Sequence, residues 1–211
     1  MYYYSLNEYL KNTFGEKVYK ISLDGGMTCP NRDGKIDTRG CIFCSRGGSG
    51  EFSADRNHSI TEQIREAKER IGRKTDCKKF IAYFQPFTNT YAPVEYLEKI
   101  FTEAIEPDEI VALSVATRPD CLPDKTVNLL SRLNKIKPVW VELGLQTVHK
   151  STADYIRRGY DLNVYDDAVK HLHKEGISVI THIIIGLPDE TEDMIVQSAE
   201  YAGKLSLIHI S

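Results

Sequence analysis

The stretch that decides the fold class is residues 109–146, which read EIVALSVATRPDCLPDKTVNLLSRLNKIKPVWVELGLQ. It begins and ends with runs rich in β-branched and other apolar residues, at 109–116 and 138–146, and these runs predict two strands. The segment 123–133 between them predicts an amphipathic helix that begins at a proline. Two strands joined by a helix, without a hairpin turn signal, predict a parallel β-α-β unit with a right-handed crossover.

The same alternation continues on both sides of this unit. Strands are predicted at 18–23, 80–85 and 177–185, and helices at 6–14, from Ser59, from Pro93, over 150–175 with a break at 157–160, and over 191–202. Ser59 and Glu62 have the spacing of a capping box. Five strands that alternate with helices predict a parallel α/β sheet, arranged either as a barrel or as a doubly wound stack.

The composition is that of a soluble globular protein. The 211 residues are 41% hydrophobic and 27% charged, and no apolar run is as long as a membrane span. The net charge of −3 is divided unevenly, because residues 1–80 carry 15 Lys and Arg against 11 Asp and Glu, whereas residues 81–211 carry 12 against 19. The basic surplus is a weak indication of a polyanionic partner such as RNA, and a solvated surface is the simpler explanation.

One face of the predicted strands mixes polar with apolar residues. In the strand at 138–146, Glu142 alternates with valines and leucines, and Ser22, Tyr83, Gln85 and His182 stand opposite apolar partners in other strands. The interior of a closed barrel is normally filled with branched apolar side chains. A carboxylate on such a face is costly unless something binds it. The pattern therefore predicts an interior that holds a polar ligand.

Three cysteines lie in the glycine-rich stretch 29–44, which reads CPNRDGKIDTRGCIFC. Cys41 and Cys44 have the C-x-x-C spacing that lets two thiolates converge on a metal centre. Three thiolates would leave one iron of an iron-sulfur cubane open to another ligand, which predicts chemistry at the cluster.

Other interpretations of the cysteines and their surroundings remain. A structural zinc ion would need a fourth ligand, for which His58 is the nearest candidate in sequence. Five cysteines and no signal peptide favour a reduced, cytoplasmic compartment over disulfides. Cys77 and Cys121 are interpreted as structural residues, and Arg157-Arg158 as an exposed helix end.

Several motifs together carry a family resemblance. They are the stretch 29–34 (CPNRDG), the pair Cys41-Ile-Phe-Cys44, and the segments 83–93 (YFQPFTNTYAP), 116–121 (ATRPDC), 142–146 (ELGLQ) and 186–191 (GLPDET). The chain resembles the radical S-adenosylmethionine (SAM) superfamily, and within it the YtqA/YhcC-type proteins of the branch similar to the Elongator catalytic subunit. That branch also has a widened gap before the C-x-x-C pair.

The resemblance implies a fold, cofactors and a reaction. The fold is an α/β, incomplete (β/α)6 TIM-like barrel over residues 1–204, without the last strand and the C-terminal part. The implied cofactors are a 4Fe-4S cluster, held by Cys29, Cys41 and Cys44, and SAM, which is cleaved reductively to methionine and a 5′-deoxyadenosyl radical. The residues implied near SAM are Phe43, Gln85, Ser114, Arg118 and Glu142. The implied partners are tRNA, modified at the wobble uridine, and an electron donor such as flavodoxin or ferredoxin.

Two alternatives concern the end of the chain and its function. Residues 205–211 (LSLIHIS) resemble translated sequencing adapter and are expected to be a non-native tail on a truncated chain, although a genuine sixth strand would also fit the spacing. The alternative function is a non-catalytic Fe-S or zinc-binding module, which would have a closed site and no SAM binding.

Overall fold

Five parallel strands form one sheet in the computed structural model, which describes residues 4–50, 53–73 and 75–205. The strands are β1 (Val18–Leu23), β2 (Lys79–Phe84), β3 (Ile110–Thr117), β4 (Val139–Gln146) and β5 (Ser178–Ile183). The helices are α1 (Leu6–Phe14), α2 (Ile60–Gly72), α3 (Val94–Ile105), α4 (Asp124–Asn134), α5 (Lys150–Tyr155), α6 (Leu162–Lys174) and α7 (Glu192–Leu205). These elements correspond to the predicted ones, with ends that differ by a few residues.

The caps explain why the helices begin where the sequence predicts. The Ser59 side chain accepts a hydrogen bond from the Glu62 amide, and the Glu62 carboxylate accepts one from the Ser59 amide, so α2 has the predicted capping box. Pro93 and Pro123 stand at the N-caps of α3 and α4. Strand β5 ends two residues earlier than predicted, and the pairing of β4 with β5 changes register between Gly144 and Gln146.

The strand order is β1-β2-β3-β4-β5, and every neighbouring pair is parallel. In a doubly wound sheet, the strand order reverses at an inner strand, so helices cover both faces. Here the strand order is sequential, and crossovers of one hand place the helices on one side of the sheet. In the described part of the chain, β1 and β5 form the two edges. The predicted partial barrel is thus confirmed, and the doubly wound alternative is wrong.

The two faces of the sheet are packed differently. The outer face joins the crossover helices in one large apolar core, which includes Phe84, Phe101 and Leu130. On the inner face, the layer at the amino ends of the strands is a smaller apolar cluster of Val18, Ile81, Ala112, Trp140 and Ile180, covered by Leu10 of α1. Helix α1 therefore closes the bottom of the partial barrel, and the polar inner-face residues lie above this floor.

The predicted tail falls mostly outside the described residues. Residues 206–211 are not among those that the structure describes, and Leu205 is the last residue of α7, packed against the outer core. The boundary at residue 204 stays a prediction. No described helix combines the length and apolar character that a membrane crossing requires.

Candidate metal and cofactor site

A cavity of about 320 Å³ opens at the carboxyl ends of the strands. The loop after β1 contributes Cys29, Cys41 and Cys44 to its wall, so the isolated cysteine and the C-x-x-C pair line the same cavity. Strands β2 to β5 contribute inner-face side chains to the same cavity. Parallel α/β proteins carry their sites at this end of the sheet, where successive strand-to-helix loops converge.

The cysteine loop is held in shape by two residues of its own Cys-Pro-Asn-Arg sequence. Asn31 is buried, and its amide nitrogen lies 3.2 Å from the Cys41 Sγ. The Arg32 guanidinium donates to the carbonyls of Cys44 and Ser45. Asn31 thus contacts Cys41, and Arg32 contacts Cys44, across the long segment that separates Cys29 from the C-x-x-C pair. These bonds order a loop that is too rich in turns to form a helix or strand.

Residues 156–160, which connect α5 to α6, support the same loop from outside. Two of their carbonyls accept hydrogen bonds from this loop, Ile156 from the Ile42 amide (3.2 Å) and Arg157 from the Asn31 side chain (2.7 Å). The Arg158 carbonyl accepts from the guanidinium of Arg118, which follows β3 (2.9 Å). Gly159 has φ +80°, and a Cβ there would lie 2.9 Å from the Asn31 Oδ1. A glycine at 159 therefore lets this segment approach the cysteine loop closely.

Two guanidinium groups line the same cavity as the cysteines. Arg118 pairs with Asp120 through two hydrogen bonds of 2.9 and 2.8 Å, and although burial opposes its charge, this pairing raises its pKa. Arg158 is 3% exposed and donates to the carbonyls of Leu145, Thr147 and Tyr160. Burial lowers the pKa of Arg158. The interpretation of Arg158 as part of an exposed helix end is wrong, because the turn after α5 directs its side chain inward.

The Tyr160 ring lies close to both cations, with its centroid 5.0 Å from the Arg118 guanidinium carbon and 4.7 Å from that of Arg158. Its hydroxyl donates to the Gly144 carbonyl. Burial raises the pKa of the Cys41 thiol, and the Asn31 hydrogen bond and the Arg118 charge oppose that rise. The surroundings of Cys41 thus include positive charge that would favour a bound thiolate.

Glu142 is the centre of a polar layer between the apolar floor and the cysteines. It is 2% exposed, lies 2.6 Å from Lys20 and 2.7 Å from His182, and accepts a hydrogen bond from Ser114. Tyr83 is hydrogen bonded to the same carboxylate, and burial raises the pKa of Tyr83. Burial acts to raise the pKa of Glu142 as well, but the hydrogen bonds and charges of His182 and Lys20 outweigh it and hold the pKa at about 2.

The residues predicted near SAM are brought together, but most have partners within the chain. Phe43, Gln85, Arg118 and Glu142 line the cavity, whereas Ser114 is fully buried beneath Glu142. Gln85 accepts from Ser22 (2.8 Å) and donates to the Ser49 carbonyl (2.7 Å). Their contacts with SAM stay predictions.

Several residues of the site were not predicted from the sequence. Lys20 shares the inner face of β1 with Ser22, and the same alternation that identified Ser22 could have identified it. Asn31, Arg158 and Tyr160 come from loops, where no periodicity indicates which side chain turns inward.

The three cysteines offer thiolate donors, which are the ligands of iron-sulfur clusters and also of zinc. Within residues 4–50, 53–73 and 75–205, no three His, Cys, Asp or Glu side chains surround one point as ligands of one ion. A cubane does not require this, because its three thiolates bind three different irons. His58, the nearest candidate for a fourth zinc ligand in the alternative interpretation, lies 3.0 Å from Glu66. Cys77 contacts the carbonyls of Lys17 and Lys79 instead of the cavity.

Known proteins are similar to this chain either over nearly its whole length or over part of it. The Bacillus subtilis protein YtqA is 48% identical over 205 residues, which are 97% of this chain and 64% of YtqA, so the predicted YtqA/YhcC-type resemblance is confirmed. A tRNA uridine(34) acetyltransferase of Methanocaldococcus jannaschii is 31% identical over 84 residues, 40% of this chain and 15% of that enzyme. The chain therefore spans less than two thirds of each of these relatives.

A solved structure and a family pattern agree with this comparison. The structure of Methanocaldococcus infernus Elp3 with an N-terminal deletion matches with a TM-score of 0.60 at 20% identity, over 87% of this chain and 41% of that one, which shows a shared fold. The sequence pattern of the Radical SAM superfamily matches residues 38–202, most of the chain. The chain belongs to the radical SAM superfamily.

Proposed function

We propose that this chain binds a 4Fe-4S cluster through Cys29, Cys41 and Cys44, binds SAM in the adjoining cavity, and takes part in modifying the wobble uridine of tRNA. The observation that carries the proposal is that three cysteines from one loop line the same cavity as Arg118 and Glu142. A 4Fe-4S cluster held by these cysteines would, when reduced, supply the electron for reductive cleavage of SAM. A small electron-transfer protein of the flavodoxin or ferredoxin class would reduce the cluster.

Residues of this chain would hold the cysteine loop in place and supply positive charge near its thiolates. Asn31 and Arg32 hold the cysteine loop in one conformation, which would reduce the cost of ordering it around a cluster. Arg118 places positive charge near Cys29 and Cys41, which offsets part of the repulsion between the thiolates. The apolar floor under Glu142 separates the cavity from water at the bottom of the sheet.

The tRNA part of the proposal has two supports. Part of the chain is similar to an enzyme named for tRNA uridine(34). The half of the chain that contains the cysteines has the surplus of basic residues that an RNA phosphate backbone attracts. Both supports concern the class of substrate, and neither identifies the atom that reacts.

The first experiment tests the cluster and SAM. The chain is reconstituted anaerobically with iron and sulfide, reduced, and examined by electron paramagnetic resonance with and without SAM. We expect a 4Fe-4S signal that changes on adding SAM and disappears in Cys29→Ala, Cys41→Ala and Cys44→Ala. Cys77→Ala is the matched control and should keep the signal, because Cys77 lies away from the cavity. A signal that ignores SAM, or a bound zinc ion with four protein ligands, would favour the non-catalytic module instead.

The second experiment tests the substrate. Cells that lack the gene supply tRNA, which is incubated with the reconstituted protein, SAM and a reductant, then digested to nucleosides for mass spectrometry. We expect a change at a wobble uridine that depends on SAM and is absent with Cys44→Ala. An unchanged nucleoside profile, in a preparation that cleaves SAM, would reject tRNA and leave the SAM chemistry intact.

A further inference from the structure

We propose that Asn31 is a positioning residue that tunes the reduction potential of the cluster, by donating a hydrogen bond to the thiolate of Cys41. This inference rests on the proposed function, because it needs a cluster on the three cysteines. It goes beyond that function because it assigns to one uncharged side chain, that of Asn31, control over how readily the cluster accepts an electron.

The first argument is the inventory of donors on the Asn31 amide. The nitrogen carries two N–H groups, and it has two acceptors within reach: the Arg157 carbonyl at 2.7 Å and the Cys41 Sγ at 3.2 Å. The carbonyl bond fixes the direction of the amide, which leaves the second N–H for the sulfur. Because Asn31 is 1% exposed, water does not compete for either bond.

The second argument is the way in which the surroundings fix this amide. The main-chain carbonyl of Asn31 accepts a hydrogen bond of 2.8 Å from the amide of Gly40, the residue before Cys41. On the other side, Gly159 leaves room for the Asn31 Oδ1, where a Cβ would lie only 2.9 Å away. The side chain and the main chain of Asn31 are thus both tied to the neighbourhood of one cysteine, which a residue with a purely local turn role does not require.

The third argument is a comparison with Arg32, the next residue along the loop. Arg32 also reaches the C-x-x-C pair, but it donates to the carbonyls of Cys44 and Ser45. Its role is to hold the backbone, whereas Asn31 touches a ligand atom. Hydrogen bonds to cluster sulfurs reduce the negative charge on them, favour the reduced cluster, and so raise its potential.

The experiment measures the midpoint potential of the reconstituted cluster by redox titration, in the absence of SAM and tRNA. Asn31→Leu removes both donors at similar size, and Asn31→Asp replaces them with acceptors. We expect both variants to have a lower potential, with the equilibrium constant for one-electron reduction reduced roughly tenfold, which is about 59 mV. Arg32→Lys is the matched control: it keeps the charge, loses the fixed geometry, and should lower the iron content without shifting the potential.

A direct measurement on the wild-type protein covers the case in which the variants bind no cluster. Asparagine labelled with ¹⁵N in its side chain is incorporated, and the reduced cluster is examined by pulsed electron paramagnetic resonance for a coupled ¹⁵N. A coupling that is present in the wild type supports the inference. Unchanged potentials in cluster-bearing Asn31 variants, or no ¹⁵N coupling in the wild type, overturn it. A wild-type chain that binds no cluster at all rejects the proposed function itself, which is a distinguishable result.

Discussion

At the scale of single residues, the buried guanidinium of Arg158 organises the end of β4. It donates to three carbonyls from the β4 end and from Tyr160. A lysine keeps the charge but has one nitrogen, so Arg158→Lys leaves buried carbonyls without a donor. We expect it to lower the free energy of unfolding by roughly 2 kcal/mol, measured by urea denaturation of the cluster-free chain. Arg157→Lys is the control and should cost less than about 0.5 kcal/mol, because residue 157 is only half-buried; equal effects would contradict this account.

Glu142 gives a prediction about pH. Its pKa is about 2 in the folded chain against 4.5 for an ordinary glutamate, so the ionised carboxylate stabilises the fold above about pH 5. The difference corresponds to roughly 3 kcal/mol at neutral pH. As the pH falls from 5 towards 2, the unfolded chain takes up the proton first, and this stability is lost.

The test compares wild type with Glu142→Gln in urea at pH 7, 5, 4 and 3. We expect the variant to be less stable at pH 7 and the gap to narrow as the pH falls. Asp154→Asn is a suitable control, because its ion pair with Lys150 is exposed and worth little at any pH. A gap that stays constant from pH 7 to pH 3 would mean that Glu142 is not held ionised by Lys20 and His182.

At the scale of elements, the sequence could predict the helices and strands, because their residue patterns are periodic. It could not predict the conformation of a loop or the direction of a loop side chain. Alternation in β4 identified Glu142 as an inner-face residue, and the S-x-x-E spacing located the start of α2. The side chain of Arg158, by contrast, turns inward only because Arg157 and Gly159 have positive φ angles. Such a turn depends on contacts with the distant cysteine loop, which one sequence alone does not contain.

Helix α1 illustrates an element whose role follows from its packing. Its buried residue, Leu10, covers the apolar floor that contains Trp140, the single tryptophan of the chain. We expect Leu10→Ala to cost about 2–5 kcal/mol and to shift the tryptophan emission to longer wavelength, since the cavity admits water to the floor. Lys11→Ala, on the exposed side of α1, should change neither reading. A stability loss without an emission shift would mean that α1 does not seal the floor.

At the scale of the whole molecule, the site is made from two segments that are far apart in sequence. The cysteine loop follows β1, and residues 156–160 follow α5, yet hydrogen bonds join them at Ile42 and Asn31. The sheet holds the two segments at one end because all its strands are parallel and in sequential order. Binding of a cluster at the cysteines should therefore restrain the backbone of both segments.

Hydrogen exchange, followed by mass spectrometry, tests this coupling in the chain with and without a reconstituted cluster. The amide of Ile42 is bonded to the Ile156 carbonyl, so a loop held more tightly by the cluster also restrains the turn after α5. We expect slower exchange in peptides that cover 38–46 and in those that cover 152–160, with no change in peptides from α4. Protection limited to 38–46 would show that the two segments open independently. In that case the contacts with residues 156–160 would shape the loop without contributing to the stability of the cluster site.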